Sequence, residues 1–118
     1  MPKYVDWFKN RQDVAKEFEV ELPDSIDILV AAYGDPHEYG YYGQAVVYYV
    51  ENRQLFEVHA SHCSCYGLES QWEPKPMTWQ DLQADLKHNC GDWPALALAL
   101  QEELKEREAR HRERNAST

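Results

Sequence analysis

Polar and apolar positions are most regularly ordered between residues 44 and 60. Gln44 to Glu51 reads Gln-Ala-Val-Val-Tyr-Tyr-Val-Glu, the β-branched and aromatic composition that fills a pleated surface. Asn52-Arg53 follows as a tight turn. Gln54 to Ala60 then sets Phe56, Val58 and Ala60 on one face and Leu55, Glu57 and His59 on the other, as a period of two requires. The two runs predict a hairpin. Ahead of them, Ile26 to Tyr33 is a short apolar run of the kind found in a strand with both faces at least partly covered, and Gly34-Asp35-Pro36 ends it. From there to Gly43 the density of turn-forming residues predicts a loop with aromatic content.

Outside this region the pattern changes to a helical one. Tyr4, Trp7, Phe8, Val14 and Phe18 fall near a helical stripe, which predicts a helix over Pro2 to Glu19 interrupted near Asn10. Glu73-Pro74-Lys75-Pro76 cannot enter a central strand or a helix interior and is expected to connect, with Trp72 closing a short edge strand before it. Thr78-Trp79-Gln80-Asp81 is a capping signature that predicts a helix ending near His88. Cys90-Gly91-Asp92 breaks it, and Asp92 with Pro94 starts another, whose Leu96, Leu100 and Leu104 form one stripe. Beyond Leu104, Glu103 with Arg107, Glu106 with Arg110 and Glu108 with Arg112 are acid-before-base pairs four apart, each contributing about 0.2–0.5 kcal/mol to a solvated helix.

These elements predict an α+β fold with an N-terminal helix, an antiparallel sheet of three or four strands, and two C-terminal helices on one face. Residues 1–104 form one domain in this reading, and residues 105–118 a charged helix end and frayed tail. A length of 118 residues leaves no room for a second core.

Charge narrows the function classes. The formal net charge is -9, and from Glu102 to Arg114 five acids balance five bases, so the negative excess lies in residues 1–100. Affinity for phosphate backbones comes mainly from Lys and Arg, so direct nucleic-acid binding is not expected. An acidic body is instead steered toward basic partners, although charge of this size also serves plain solubility. The first residues lack the apolar core of a secretory signal, and no run approaches the roughly 20 apolar residues of a membrane span. Three cysteines, an odd number, fit reduced thiols. A location in the cytoplasm, in the setting below that of a host cell, is the expectation.

The chemically richest stretch runs from His59 to Trp72. His59, His62, Cys63 and Cys65, completed by His88 or Cys90, offer the nitrogen and sulfur donors that zinc favours. A single residue separates the two thiols, fewer than in zinc knuckles, and small buried thiols with hydrogen-bonded histidines explain the same residues. Cys63 or Cys65 activated by His59 or His62 would make a nucleophile, but acidic surroundings oppose the lowered thiol pKa this needs. A phosphate cradle at Gly34, Gly40 and Gly43 fails on spacing, with Asp35 and Glu38 repelling phosphate.

A third candidate is aromatic. Seven of the eight tyrosines lie between positions 33 and 66. Tyr48 and Tyr49 are candidates to fill the sheet faces, one of the two at least, whereas Tyr39, Tyr41, Tyr42 and Tyr66 lie in turn-rich sequence. Tyrosine buries large area at low entropic cost, so these four are the expected anchors for a partner protein, with Asp35 and Glu38 as a charged rim. The same tyrosines could instead line a pocket that sequesters a small molecule. A monomer and a homodimer are both compatible with such a surface.

The run His62-Cys63-Ser64-Cys65-Tyr66-Gly67-Leu68-Glu69, followed by Gln71-Trp72-Glu73-Pro74 and then Thr78-Trp79, resembles a motif of small bacteriophage and prophage proteins. The similarity covers roughly Ile26 to Leu86 and brings no catalytic residues with it. It implies a phage setting. By analogy with small acidic phage proteins, it implies non-catalytic binding and inhibition of a host protein, such as a nucleic-acid enzyme of a defence system, in the manner of an anti-CRISPR.

Overall fold

The expected hairpin lies within a five-stranded sheet formed by the described residues, and the sheet carries helices on both faces. The computed structural model describes residues 3–36, 42–63, 67–88 and 92–116, with side chains through residue 110. In chain order the elements are β1 (Lys3–Asp6), α1 (Arg11–Phe18), β2 (Asp27–Gly34), β3 (Gly43–Glu51), β4 (Gln54–His62), β5 (Lys75–Met77), α2 (Trp79–His88) and α3 (Pro94–Ala116). The strands lie side by side in that same order.

The β3–β4 hairpin pairs Gly43 with His62 through Glu51 with Gln54 without a register break. Its two turn residues, Asn52 and Arg53, both have positive φ, 52° and 67°. Two consecutive left-handed residues match the right-handed twist of the strands they join. Asn52 takes that conformation readily, whereas Arg53 does so against its Cβ.

The N-terminal expectation needs correction. Lys3–Asp6 is a strand, parallel to β2 and paired from Lys3 with Val30 to Asp6 with Tyr33, so the sheet is mixed and not wholly antiparallel. Val5 and Tyr4 point to opposite faces, a period of two over only four residues that a helical stripe through Trp7 and Phe8 obscures. The parallel pairing is possible because α1 supplies the crossover between the two strands. That helix is shorter than expected for a reason visible at Asn10. Its side chain caps the first turn, accepting from the Asp13 amide at 2.9 Å, while Glu19 closes the helix in the left-handed conformation. Arg11 ties this helix to the lead-in of β2 by donating to the carbonyls of Ile26 and Pro23.

The Pro-rich connector holds a second correction. Lys75–Met77 is itself the edge strand, pairing with Leu55 to Glu57 of β4, and the short strand expected to end at Trp72 is absent among the described residues. Pro76 fits there because an outermost strand can spare an amide donor. Immediately after it, Thr78 and Asp81 exchange side-chain and backbone hydrogen bonds at 2.9 and 3.0 Å, the reciprocal cap that starts α2.

Two cores result. On one face, Phe8, Val14 and Phe18 meet Ala31, Tyr33, Val47, Tyr49 and Val58. On the other, α2 and α3 bring Leu82, Leu96 and Leu100 onto Val30, Ala32, Val46, Tyr48 and Leu55, so the two C-terminal helices do share a face. Tyr48 and Tyr49 are both buried, one in each core. On α3, Glu103 turns inward and accepts from Arg110 at 3.4 Å, whereas Arg107 lies 4.0 Å over the Trp79 ring and Lys3 bridges Glu102 and Glu106. The expected pair of Glu108 with Arg112 falls outside the described side chains.

Candidate functional site

Strand alternation decides what becomes of the His/Cys stretch. His59 and His62 are three residues apart on β4, so their side chains leave the sheet on opposite faces. His62 turns toward the α1 core. Tyr33 Oη donates to its Nε2 at 2.6 Å and its Nδ1 donates to the Cys63 carbonyl at 2.8 Å, which fixes the neutral ring as the Nδ1–H tautomer. The ring also lies so close over Gly43 that a Cβ there would collide with His62. Both nitrogens are engaged, and neither is turned to a thiol. His59, His62 and Cys63 therefore do not converge on one ion, nor do His62 and Cys63 form a thiol–imidazole pair. Cys65 and Cys90 lie outside the described residues.

Of the described residues that follow, Leu68 and Trp72 close the α1 face. Leu68 is fully buried, and Glu69 accepts from the Gly67 amide. Gln71 bridges the Gly67 carbonyl and the Ser61 amide, and Trp72 stacks on Tyr49 and meets Phe18 edge-on. Much of the stretch that reads as chemistry is packing.

His59 has different company. On the α2 side of the sheet its Nε2 donates to Glu57 Oε1 at 2.9 Å, and Asp85 of α2 completes a group whose ligand-type atoms all lie within 4.8 Å of one another. Tyr48, only 1% exposed, donates from Oη to Asp85 Oδ2 at 3.2 Å. The hydrogen bond from His59 is the main reason that the Glu57 carboxyl titrates low, at about 2, with Asp85 and Lys75 acting in the same direction against burial. The same bond, together with the charges of Glu57 and Asp85, raises His59 above its ordinary value against the effects of burial and Lys75. A shallow groove of about 320 Å³ adjoins the group, lined by Gln44, Val46, His59, Ser61 and Gln71 among others. Sequence alone gives Glu57 and His59 a common face but offers nothing to connect them with Asp85, which only the docking of α2 brings across.

The second candidate surface is the end of the sheet where β1 and β2 finish and β3 begins. Trp7 follows β1 with its amide bonded to the Tyr33 carbonyl, and its ring meets Tyr33 edge-on at 5.0 Å while remaining 53% exposed. Tyr42, immediately before β3, is 47% exposed. Asp35 is half-buried after β2 and, with Asp6, Trp7, Lys9 and Pro36, lines an open depression. Two of the expected partner-binding residues, Asp35 and Tyr42, are thus placed at this end. Glu38, Tyr39, Tyr41 and Tyr66 lie outside the described residues. Trp7 belongs to this surface without having been an expected anchor, because a helical reading of the N-terminus puts it on a buried stripe.

No helix among the described residues is long and apolar enough to cross a membrane. Comparison with protein-family models, with curated proteins and with solved structures finds no match to this chain.

Proposed function

We propose that this chain works by binding, without catalysis, to a host protein with a basic surface and blocking it, and that the Trp7–Asp35–Tyr42 end of the sheet is the contact. The observation that carries this reading is the exposure of Trp7 and Tyr42, about half of each, at strand ends of a body with net charge -9. Large aromatic side chains in such positions are the usual energetic centres of protein interfaces, and the surrounding acids steer a basic partner toward them. A basic channel built for nucleic acid is the surface such a body fits best, which favours a nucleic-acid enzyme of a defence system, as the phage-like motif implies. Direct binding of nucleic acid or of a membrane is not part of this reading, and the contact can be made by a monomer or a homodimer.

Affinity capture from nuclease-treated host lysate, with wild-type protein beside a Trp7→Ala/Tyr42→Ala variant, tests the reading. A basic protein retained by the wild type and recovered at least about tenfold less by the variant, the equivalent of ~1.4 kcal/mol, supports it. Equal retention by both, or retention of no protein, overturns it. With a partner in hand, Asp35→Lys is expected to slow association at low salt, and an unchanged rate removes the steering argument.

A further inference from the structure

We propose that Glu57, His59 and Asp85 bind a divalent transition-metal ion of the zinc class, held between β4 and α2 and open to the groove that His59 lines. The donor set is one imidazole nitrogen and two carboxylates. That combination suits zinc and its neighbours better than calcium or magnesium, which take oxygen, and the described ligands include no thiolate to select a softer ion.

The geometry is close to what an ion needs. Donors at roughly 2.0–2.2 Å around a tetrahedral centre stand roughly 3.3–3.5 Å from one another. The three groups already lie within 4.8 Å, and the His59–Glu57 contact at 2.9 Å need only open by a few tenths of an ångström. Three protein ligands leave a fourth position, the arrangement of a site that takes water or a small ligand and not of one that only staples a fold. The groove beside His59, with Gln44, Ser61 and Gln71 on its walls, supplies the space.

A second feature makes this more than an acidic cluster. Tyr48 is buried in the α2/α3 core, and its hydroxyl is bonded to Asp85 Oδ2, so one ligand is oriented from behind by a group that solvent does not reach. Metal-binding carboxylates are commonly held in this way, and removing the outer partner typically weakens the metal about 10- to 100-fold. Lys75, paired with Glu57 across β4 and β5, is the neighbouring cation with which an ion would compete.

The site is independent of the docking surface, and its test can fail while that reading stands. Untagged full-length protein, stripped with a chelator, is titrated with Zn²⁺ by calorimetry and with Co²⁺ by visible absorption. One saturable equivalent and a d–d spectrum with a nitrogen–oxygen donor set are expected. His59→Ala and Asp85→Asn should each weaken Zn²⁺ at least about tenfold, with Tyr48→Phe weakening it about tenfold through Asp85. His62→Ala and Cys63→Ser should leave it unchanged. Circular dichroism checks folding, and if His59→Ala does not fold, the isosteric Asp85→Asn at a half-buried position of α2 decides. Binding well below one equivalent overturns the proposal, as does binding that survives in the folded His59 and Asp85 variants. So does binding lost in His62→Ala or Cys63→Ser.

Discussion

The two faces of the sheet are built from alternate residues of the same strands, yet they are finished differently. The α1 face is closed by rings: Phe8, Phe18, Tyr33, Tyr49, Phe56 and Trp72 make a continuous series of tilted, edge and stacked contacts. The histidine on that side, His62, is absorbed into the series through Tyr33. The opposite face has an aliphatic centre but keeps ionisable groups at its margins, with Glu57, His59 and Asp85 between β4 and α2 and Glu103 buried on α3. Burying charge is costly unless partners are supplied. A face that retains such groups beside a groove is the one on which ligand chemistry is to be sought, and the sealed face is the one that holds the fold.

The largest expected effect follows from the sealed face. Phe18 is almost fully buried between Phe8 and Trp72, on a helix of only eight residues. Phe18→Ala should lower stability by about 3–5 kcal/mol in urea unfolding, because the ring's burial is lost and a cavity remains. Residual Zn²⁺ binding by whatever fraction stays folded should be unchanged. A loss below about 1 kcal/mol would mean that the α1 layer contributes little and that the aromatic series is not the stabilising half of the molecule.

This division was only partly legible in the chain. The hairpin, its turn and the cap at Thr78 were, because each is a short-range pattern whose cause lies within a few residues. The α+β class followed from them. β1 was not, since four residues carry too little alternation to compete with the apparent stripe through Trp7, Phe8 and Val14, and parallel pairing is a long-range event. Nor was the site. The His62-Cys63 motif is conspicuous by residue type, but strand parity sends its histidine into packing, whereas the groups that converge combine two residues of β4 with an aspartate on α2 that carries no local signal. Parity alone could have separated His59 from His62. The partnership with Asp85 required the helix to be docked.

Glu103 gives a smaller effect of opposite sign. The residue is 4% exposed, and its Oε2 has no hydrogen-bond partner among the described residues. Burial, reinforced by Glu106 and opposed by Arg110, holds its carboxyl above the ordinary value of 4.5. The folded state therefore binds this proton more tightly than the unfolded chain does. Its contribution to stability is greatest below the unfolded value and is lost as pH rises through the folded one. Glu103→Gln should raise the Tm near neutral pH, by an amount corresponding to about 1 kcal/mol, and the advantage should shrink as pH falls to about 4. Thermal melts of both proteins in chelator across that range check the sign. An advantage that grows toward acid would show that Glu103 is stabilised as the anion, and the contrast between the faces would lose one of its members.

The finest test uses two adjacent tyrosines. Tyr48 and Tyr49 share a strand and near-complete burial, and they differ in the face they enter. Tyr49 stacks between Phe56 and Trp72, where burial pushes its hydroxyl up to about 12, so Tyr49→Phe removes an oxygen that packing does not use. Its stability should stay within about 0.5 kcal/mol of wild type. Tyr48→Phe removes the bond to Asp85 and should lose about 0.5–1.5 kcal/mol in chelator. The same change should lower Zn²⁺ affinity, a readout that Tyr49→Phe leaves alone. If the two substitutions behave alike in both measurements, the hydroxyl of Tyr48 is a passenger in the core, and the distinction between a face that packs and a face that binds fails at the residue where it is sharpest.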